Sequence, residues 1–417
     1  MKKTKVIENM AMLYLMSIAK MILPLLTLPY LTRVLSEESY GLVTYVKSCM
    51  SYMLLIVDFG FLLSSVKDIV NADGDKNKIA AIAGNTFGAK LILAAVSGIV
   101  LAVMFFTIPV LRINPLFVLL SFVAVAITAF LADFVFRGIE KMQYITIIYV
   151  ISKSISTALT FVLVRNDGDL LWIPVLDIIS NLVSVVISMI VLKRLDIWPR
   201  MTSVRDCLLM LRKSYVYFLS DAASTVFAAL NTLIIGIYLT DLKQVAYWSV
   251  CLSVVVTIQG MYAPICNSVY PHMIKVKSLK FIHKLLLLFM PIVILGCLCC
   301  FVLAEDVLFI LGGEKYTPAA TLFRYMIPII FFSFPVQVYG WPTLGSIGKE
   351  RQTTLSTIIA AIVQLVGVVI LIYNQWFTII NLAILRGITE VFLLSTRAYF
   401  VYKNRNVFDG VGMKEVA

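Results

Sequence analysis

Residues 80–106 read AAIAGNTFGAKLILAAVSGIVLAVMFF. This run carries a single charge, Lys90, and its apolar positions are continuous rather than alternating. A spanning helix needs about 20 mostly apolar residues, whereas a barrel strand is about 9–11 residues of alternating pattern, so the run predicts a transmembrane helix. Lys90 then says what kind of membrane protein this is. An ammonium group at the middle of a spanning helix costs about 2.5–3.5 kcal/mol even on insertion scales, which predicts a polar interior with a purpose. Lys20, Lys47 and Lys153 sit in other apolar runs in the same way, and Arg324 and Arg386 repeat the pattern in the second half. A membrane interior lined with positive charge suits a negative cargo.

The whole composition agrees with that stretch. Of 417 residues, 61% are hydrophobic and 14% charged. Soluble chains average about 45–50% apolar and about 25% charged residues, so this is an integral membrane protein. The formal charge of +12 lies in short loops between apolar runs rather than on a folded basic face, which argues against a nucleic-acid partner. All cysteines but Cys207 fall in apolar stretches, and the Cys297-x-x-Cys300 pair has no histidine or carboxylate nearby, so these read as packing residues and not a metal site. His272 and His283 belong to a basic loop and complete neither a triad nor a metal site. The first apolar run exceeds signal-peptide length and lacks a small-x-small cleavage site.

Twelve apolar runs are long enough to span, near 9–31, 40–62, 80–106, 116–136, 143–164, 170–192, 214–236, 245–271, 284–304, 320–343, 353–373 and 377–400. With twelve spans, twenty-four loop and terminal bases fall on the side of both termini, Arg397 in the tail counted among them, and only Arg33, Arg112, Arg165, Lys243 and Lys315 fall opposite. The positive-inside rule therefore predicts that both termini are cytoplasmic. The basic segment 193–213 divides the chain into two six-helix lobes, 1–200 and 201–417, around a central cavity. From Thr202 it reads either as a short interfacial helix, with Val204, Cys207, Leu208 and Leu211 on one side, or as a plain linker. Tyr30-Leu31-Thr32 followed by Tyr40-Gly41 is echoed by Tyr238-Leu239-Thr240 followed by Tyr247-Trp248, a short internal repeat. Because six is even, the two halves are expected to be parallel repeats.

Lys20, Lys90, Lys153 and Arg386 lie about ten residues, or about 15 Å, from a helix end, close to the bilayer midplane. Lys47 and Arg324 read as nearer the outer surface, where a long side chain can reach the headgroups. Polar stripes accompany the deep bases: Thr146, Thr157 and Thr160 with Lys153, Thr86 and Ser97 with Lys90, Ser17 and Thr27 with Lys20. The acids at membrane depth are Asp58, Asp133, Asp177, Asp221 and Glu390. Glu390 is expected to pair with Arg386, and Asp133 with Arg137, each at a spacing of four. Asp177 has no base three or four positions away; it reads either as an ion-coupling carboxylate or as the partner of a lysine on another helix, Lys153 being the candidate. Glu390 is the second coupling candidate. Pro24 and Pro29, Pro264 and Pro271, and Pro328, Pro335 and Pro342 mark bends or hinges. Gly84-x-x-x-Gly88 predicts close helix packing.

The run Pro29-Tyr30-Leu31-Thr32-Arg33-Val34-Leu35, then Glu38, Tyr40-Gly41 and Asp58-Phe59-Gly60-Phe61, resembles the opening of Wzx-type polysaccharide flippases. These are the O-antigen and related repeat-unit transporters of the multidrug/oligosaccharidyl-lipid/polysaccharide exporter superfamily. Asn231, Ile235-Gly236, Val245-Ala246-Tyr247-Trp248-Ser249 and Gly348-Lys349-Glu350 resemble the family in the second half, although Ala246 and Trp248 replace its more usual tyrosine and glycine. The resemblance implies an all-α fold of two six-helix lobes in a V. It also implies transport, not catalysis, of undecaprenyl-pyrophosphate-linked oligosaccharide from the cytoplasmic to the periplasmic leaflet of a bacterial inner membrane by alternating access. The membrane-embedded bases, with Arg33 of the opening run, make the expected substrate-binding set Lys20, Arg33, Lys47, Lys90, Lys153, Arg324 and Arg386. Implied partners are the polyprenyl-linked glycan, membrane lipid, and a polysaccharide polymerase and chain-length regulator. No cofactor is expected beyond a coupling proton or sodium ion. A multidrug exporter of the same fold is the alternative, but cationic drugs favour a cavity dominated by Asp and Glu. A membrane glycan ligase or polymerase would need a large catalytic outer loop, and the longest expected here is only 305–319.

Overall fold

The computed structural model describes residues 3–225 and 229–409. The described residues form seventeen α-helices and short 3-10 or π turns, with no strand among them. In chain order the helices are α1 (Lys3–Val34), α2 (Glu37–Asp58), α3 (Phe61–Val70), α4 (Lys76–Thr107), α5 (Pro115–Ile127), α6 (Asp133–Gly138), α7 (Met142–Leu163), α8 (Trp172–Arg194) and α9 (Val204–Thr225). There follow α10 (Asn231–Tyr238), α11 (Leu242–Val276), α12 (Leu279–Val302), α13 (Ala304–Gly312), α14 (Ala320–Val338), α15 (Glu350–Tyr373), α16 (Ile379–Lys403) and α17 (Arg405–Asp409). The chain is a multi-pass, all-α membrane protein.

Eleven segments among the described residues are long and apolar enough to cross a bilayer. They correspond to eleven of the twelve expected spans. The other, 214–236, is distributed over α9 and α10, and residues 226–228 between them lie outside the described part. Membrane immersion explains a surface that would precipitate a soluble protein. Leu287, Ile292, Leu295 and Val302 on α12 are each more than 60% exposed to the protein's surroundings, which here are acyl chains.

Local chemistry sets the helix ends. Ser36 caps α2 by accepting from the Ser39 amide, and Glu37 and Glu38 occupy the dipole-positive first turn. The same helix ends at Phe59 and Gly60, both left-handed, so what the sequence reads as one span to residue 62 turns sharply into α3. Gly60 is required twice over: its φ is +74°, and an added Cβ would lie 2.6 Å from that of Tyr217 on α9. Asp75 caps α4, and the Lys78 and Asn77 amides hold its carboxyl below the usual range.

By contacts the chain forms two compact units, Met1–Leu242 and Lys243–Ala417. The contact boundary lies about one helix beyond the charge-defined midpoint because α9 packs on α2, α3 and α4. Cys207 and Met210 of α9 are buried with Phe61, Ala89 and Leu93, and the Phe59 and Phe218 rings stack at 4.4 Å. Residues from Val204 onward are therefore neither a separate interfacial helix nor a linker, but the start of one continuous helix docked on the first unit. The Gly84-x-x-x-Gly88 pair makes this docking possible. A Cβ on Gly84 would meet the Arg200 backbone at 2.2 Å, and one on Gly88 the Cys207 sulfur at 2.7 Å.

In the second unit, α14 packs along α16, which also packs on α15. Pro328 and Pro335 lie within α14, and the expected tenth span breaks beyond it: Gly340 (ψ −115°) is non-helical inside a π turn over Tyr339–Leu344 that contains Pro342.

Candidate functional site

The first unit contains a polar cavity of about 180 Å³ at membrane depth, built by α1, α2, α7 and α8. Its charged lining is Lys47 from α2, Lys153 from α7 and Asp177 from α8, with hydroxyls from Thr27, Tyr149, Ser156, Thr157 and Thr160. A second cavity of about 260 Å³, reaching toward Ser121, Thr128 and Asn181, shares the same three charged residues. Lys47, Lys153 and Asp177 therefore stand where two polar spaces meet.

The helix period explains the assembly. Lys153, Ser156, Thr157 and Thr160 are separated by three, four and seven residues, which places them on one face of α7. Lys47 lies ten residues into α2, a rise of about 15 Å, so it is deeper than a helix beginning at residue 40 would make it. The Lys153 ammonium donates to Asp177 at 2.9 Å, and each side chain retains about a third of its exposure (30% and 33%). This is the inter-helix lysine partner that the sequence leaves as one of two readings of Asp177. Lys47 faces the same carboxylate electrostatically but makes no ion pair within 4 Å among the described residues. Two cations thus share one anion. Lys20 joins from α1: its ammonium lies 5.2 Å from the centre of the Tyr149 ring, whose residue lines the first cavity.

Other expected site residues lie elsewhere. Lys90 is buried and donates to Asp58 at 2.8 Å, with the Phe134 ring 5.9 Å away. Its expected polar stripe is internal: Thr86 bonds Ser65, and Ser97 bonds the Ala94 carbonyl. Asp133 makes no ion pair with Arg137 among the described residues, contrary to the spacing argument. It sits instead in the combined field of Lys90, Arg137 and Lys20, and the Arg137 Nε is buried without a partner. Arg33 at the end of α1 donates to the Pro29 carbonyl. Arg324 is tied to Glu305 at 3.2 Å and to the Phe301 carbonyl. Arg386 pairs with Glu390 at 2.6 Å, the expected pair, and the carboxylate is almost wholly buried (4% exposed side chain).

One buried base escaped the sequence reading. Arg397, counted there with the tail, lies inside α16 and donates to Ser356, Thr357 and the Val336 carbonyl. Its signal was its spacing from Arg386 and Glu390, eleven and seven residues, which returns it to the same helix face. About two turns away along the same helices, buried Gln364 accepts from Thr389 at 2.7 Å. Among the described residues no group of three His, Cys, Asp or Glu is placed to hold a metal.

The arrangement can bind an anion. Ammonium groups make charge-assisted hydrogen bonds to phosphate oxygens, and hydroxyls lining the same wall can complete the shell.

Comparison with known proteins identifies the family of the chain. Residues 6–277 match the family described as polysaccharide biosynthesis protein. The chain is 26% identical over 396 residues to a Shigella dysenteriae protein named "Putative O-antigen transporter", covering 93% of this chain and 98% of that one. A protein of the same name from Escherichia coli (strain K12) is 24% identical over 92% of this chain and 94% of its own length. Among solved structures, the lipid II flippase MurJ in an inward closed conformation aligns with TM-score 0.67 at 12% identity, over 95% of this chain and 87% of that one. An inward-facing multidrug resistance MATE family transporter of the MOP superfamily aligns with TM-score 0.66, also at 12% identity, over 95% and 100%. At such identity these likenesses establish the shared fold alone. With the family match spanning well over half its length, the chain belongs to the polysaccharide biosynthesis protein family.

Proposed function

We propose that this protein is a flippase for polyprenyl-diphosphate-linked oligosaccharide repeat units of a surface polysaccharide such as O-antigen. It moves them from the cytoplasmic to the periplasmic leaflet by alternating access, with both termini cytoplasmic. The observation that carries the reading is the surplus cation: Lys47 and Lys153 against the single carboxylate of Asp177 in a hydroxyl-lined cavity at membrane depth. A mid-membrane charge without a matching partner is costly, and an anionic cargo offsets that cost. The names of the two relatives point the same way.

In this reading Asp177 holds Lys153 in place when the site is empty, and the diphosphate takes over its hydrogen bond on entry. Protonation of Asp177 would release Lys153 in the same manner, which makes it the proposed coupling carboxylate for a proton. Glu390, sequestered with Arg386, is the weaker candidate. The oligosaccharide would be received by a polymerase and its chain-length regulator. A cationic-drug exporter would need the opposite charge balance in this cavity.

The test is complementation of a flippase-deficient strain with Lys47→Gln, Lys153→Gln and the charge-retaining Lys→Arg variants. Surface polysaccharide should fall with the Gln variants and recover with Arg, at equal membrane abundance. Wild-type export from the double Gln variant would reject the reading.

A further inference from the structure

A third cavity of the first unit, of about 400 Å³, has no part in the flippase reading. It opens where α4 begins and α8 ends, and is lined by Asn77, Ala80, Lys193, Asp196, Trp198 and Arg200. Its volume is the share of about a dozen liquid waters, room for a polar headgroup.

The walls are built rather than incidental. Asp196 adopts a left-handed conformation (φ +56°), and the Ile197 amide returns to the Leu192 carbonyl at 3.0 Å. Ile197 is buried in the core beside Ile79, Ala80 and Ala83. The Arg200 amide donates to the Ala80 carbonyl at 2.9 Å, against the surface that Gly84 leaves open. Just beyond, the Thr202 amide donates to the Asn85 side-chain carbonyl oxygen and the Thr202 hydroxyl accepts from the Asn85 side-chain amide nitrogen. Thr202 and Ser203 in turn donate to Asp206, holding its carboxyl below the usual range. The segment between α8 and α9 is thereby fixed to α4 at several points.

Charge and polarity then specify the occupant. The one acid in the lining, Asp196, is engaged by Lys76 at 3.0 Å. Lys193 and Arg200 have no ion-pair partner within 4 Å among the described residues, so the cavity is net positive. Beside these bases, Trp198, Met201 and Val204 are 54%, 53% and 57% exposed. A free anion would gain nothing from them. An interfacial lipid would gain from all three, because indole and alkyl groups at a helix end sit at the headgroup–acyl boundary while nearby bases meet phosphate. We infer that this cavity binds the phosphate headgroup of an anionic membrane phospholipid, with Lys193 and Arg200 on the phosphate and Trp198 at the acyl boundary.

The experiment uses the full-length protein in phosphatidylcholine nanodiscs titrated with phosphatidylglycerol, with retained lipid counted by native mass spectrometry. Wild type should retain phosphatidylglycerol saturably, and Lys193→Gln/Arg200→Gln should weaken this on the order of thirtyfold. Trp198→Ala, which keeps both charges, should weaken it severalfold and stands in if the double variant fails to fold. Lys275→Gln/Lys280→Gln, which removes two bases elsewhere, should leave retention unchanged. Equal retention by wild type and both cavity variants would overturn the assignment. So would full displacement of phosphatidylglycerol by millimolar inorganic phosphate, which would make the site one for a soluble anion. None of these readouts involves glycan export, so the outcome is separable from that of the flippase reading.

Discussion

Two ion pairs at membrane depth, one in each unit, look alike in sequence and differ in kind. Lys153–Asp177 joins two helices across a cavity wall, keeps about a third of its surface open, and has a second cation beside it. Arg386–Glu390 lies along one helix turn, with side chains only 13% and 4% exposed. On the same helix Thr389 donates to Gln364, and Arg397 donates to Ser356, Thr357 and the Val336 carbonyl. The first arrangement leaves charge to be answered from outside; the second is answered within the protein. Depth alone therefore does not identify a binding charge. What does is the remaining imbalance, together with a space to reach it.

Removing the buried carboxylate should have the largest effect. Glu390→Ala removes the buried carboxylate that Arg386 donates to and is expected to cost about 3–5 kcal/mol, read as a lowered thermal midpoint in detergent. A midpoint equal to wild type would show that the second pair is no more structural than the first. The cavity pair should respond in function instead. Lys47→Gln and Lys153→Gln should each lower export about tenfold or more, the value of about 1.5–3 kcal/mol for a hydrogen bond to a charged group. Their stability should change by less than about 1 kcal/mol, because the Lys153–Asp177 pair is partly exposed and Lys47 makes no ion pair among the described residues. A matching loss of stability would erase the contrast.

Asp177→Asn sharpens the comparison further, since it frees Lys153 while keeping the cavity shape. Proteoliposome transport under an imposed pH gradient should lose its gradient dependence in this variant. The same dependence in variant and wild type would remove Asp177 from coupling. The smallest effect is expected at Arg324, whose partner Glu305 is well exposed (64%). Arg324→Gln should shift stability by about 0–1 kcal/mol and leave export near wild type; a tenfold export defect would place it in the transport path.

The membrane fold was legible because a spanning helix writes itself as a long apolar run, and the run at 80–106 emerges as α4. Where the sequence reading stopped short, the cause was packing between distant segments. A single glycine within an apolar run is a weak local sign of the turn at Phe59 and Gly60, and the close approach of α9 to Gly60 has no local signature at all. Likewise, Thr202 onward carries an amphipathic pattern, but what receives its apolar side is Ala89 and Leu93 of α4, more than a hundred residues earlier. Of the candidate site, the residue types were visible and their partners were not. Lys90 and Lys153 are equally deep in sequence, yet one is enclosed against Asp58 and the other opens to a cavity. Arg397 shows a different failure: placed by the charge rule in a tail, it belongs by helix period to the buried face of α16.

The break beyond α14 imposes an order on biosynthesis. The Val336 carbonyl receives its hydrogen bond from Arg397, 61 residues downstream. At about 5–20 residues per second, the ribosome emits that donor roughly 3–12 s after the acceptor. For that interval the Val336 carbonyl has only its local donor, the Tyr339 amide at the end of α14. A chain cut short before residue 397 would therefore keep α14 and α15 and lack the side chain that ties both of them to α16.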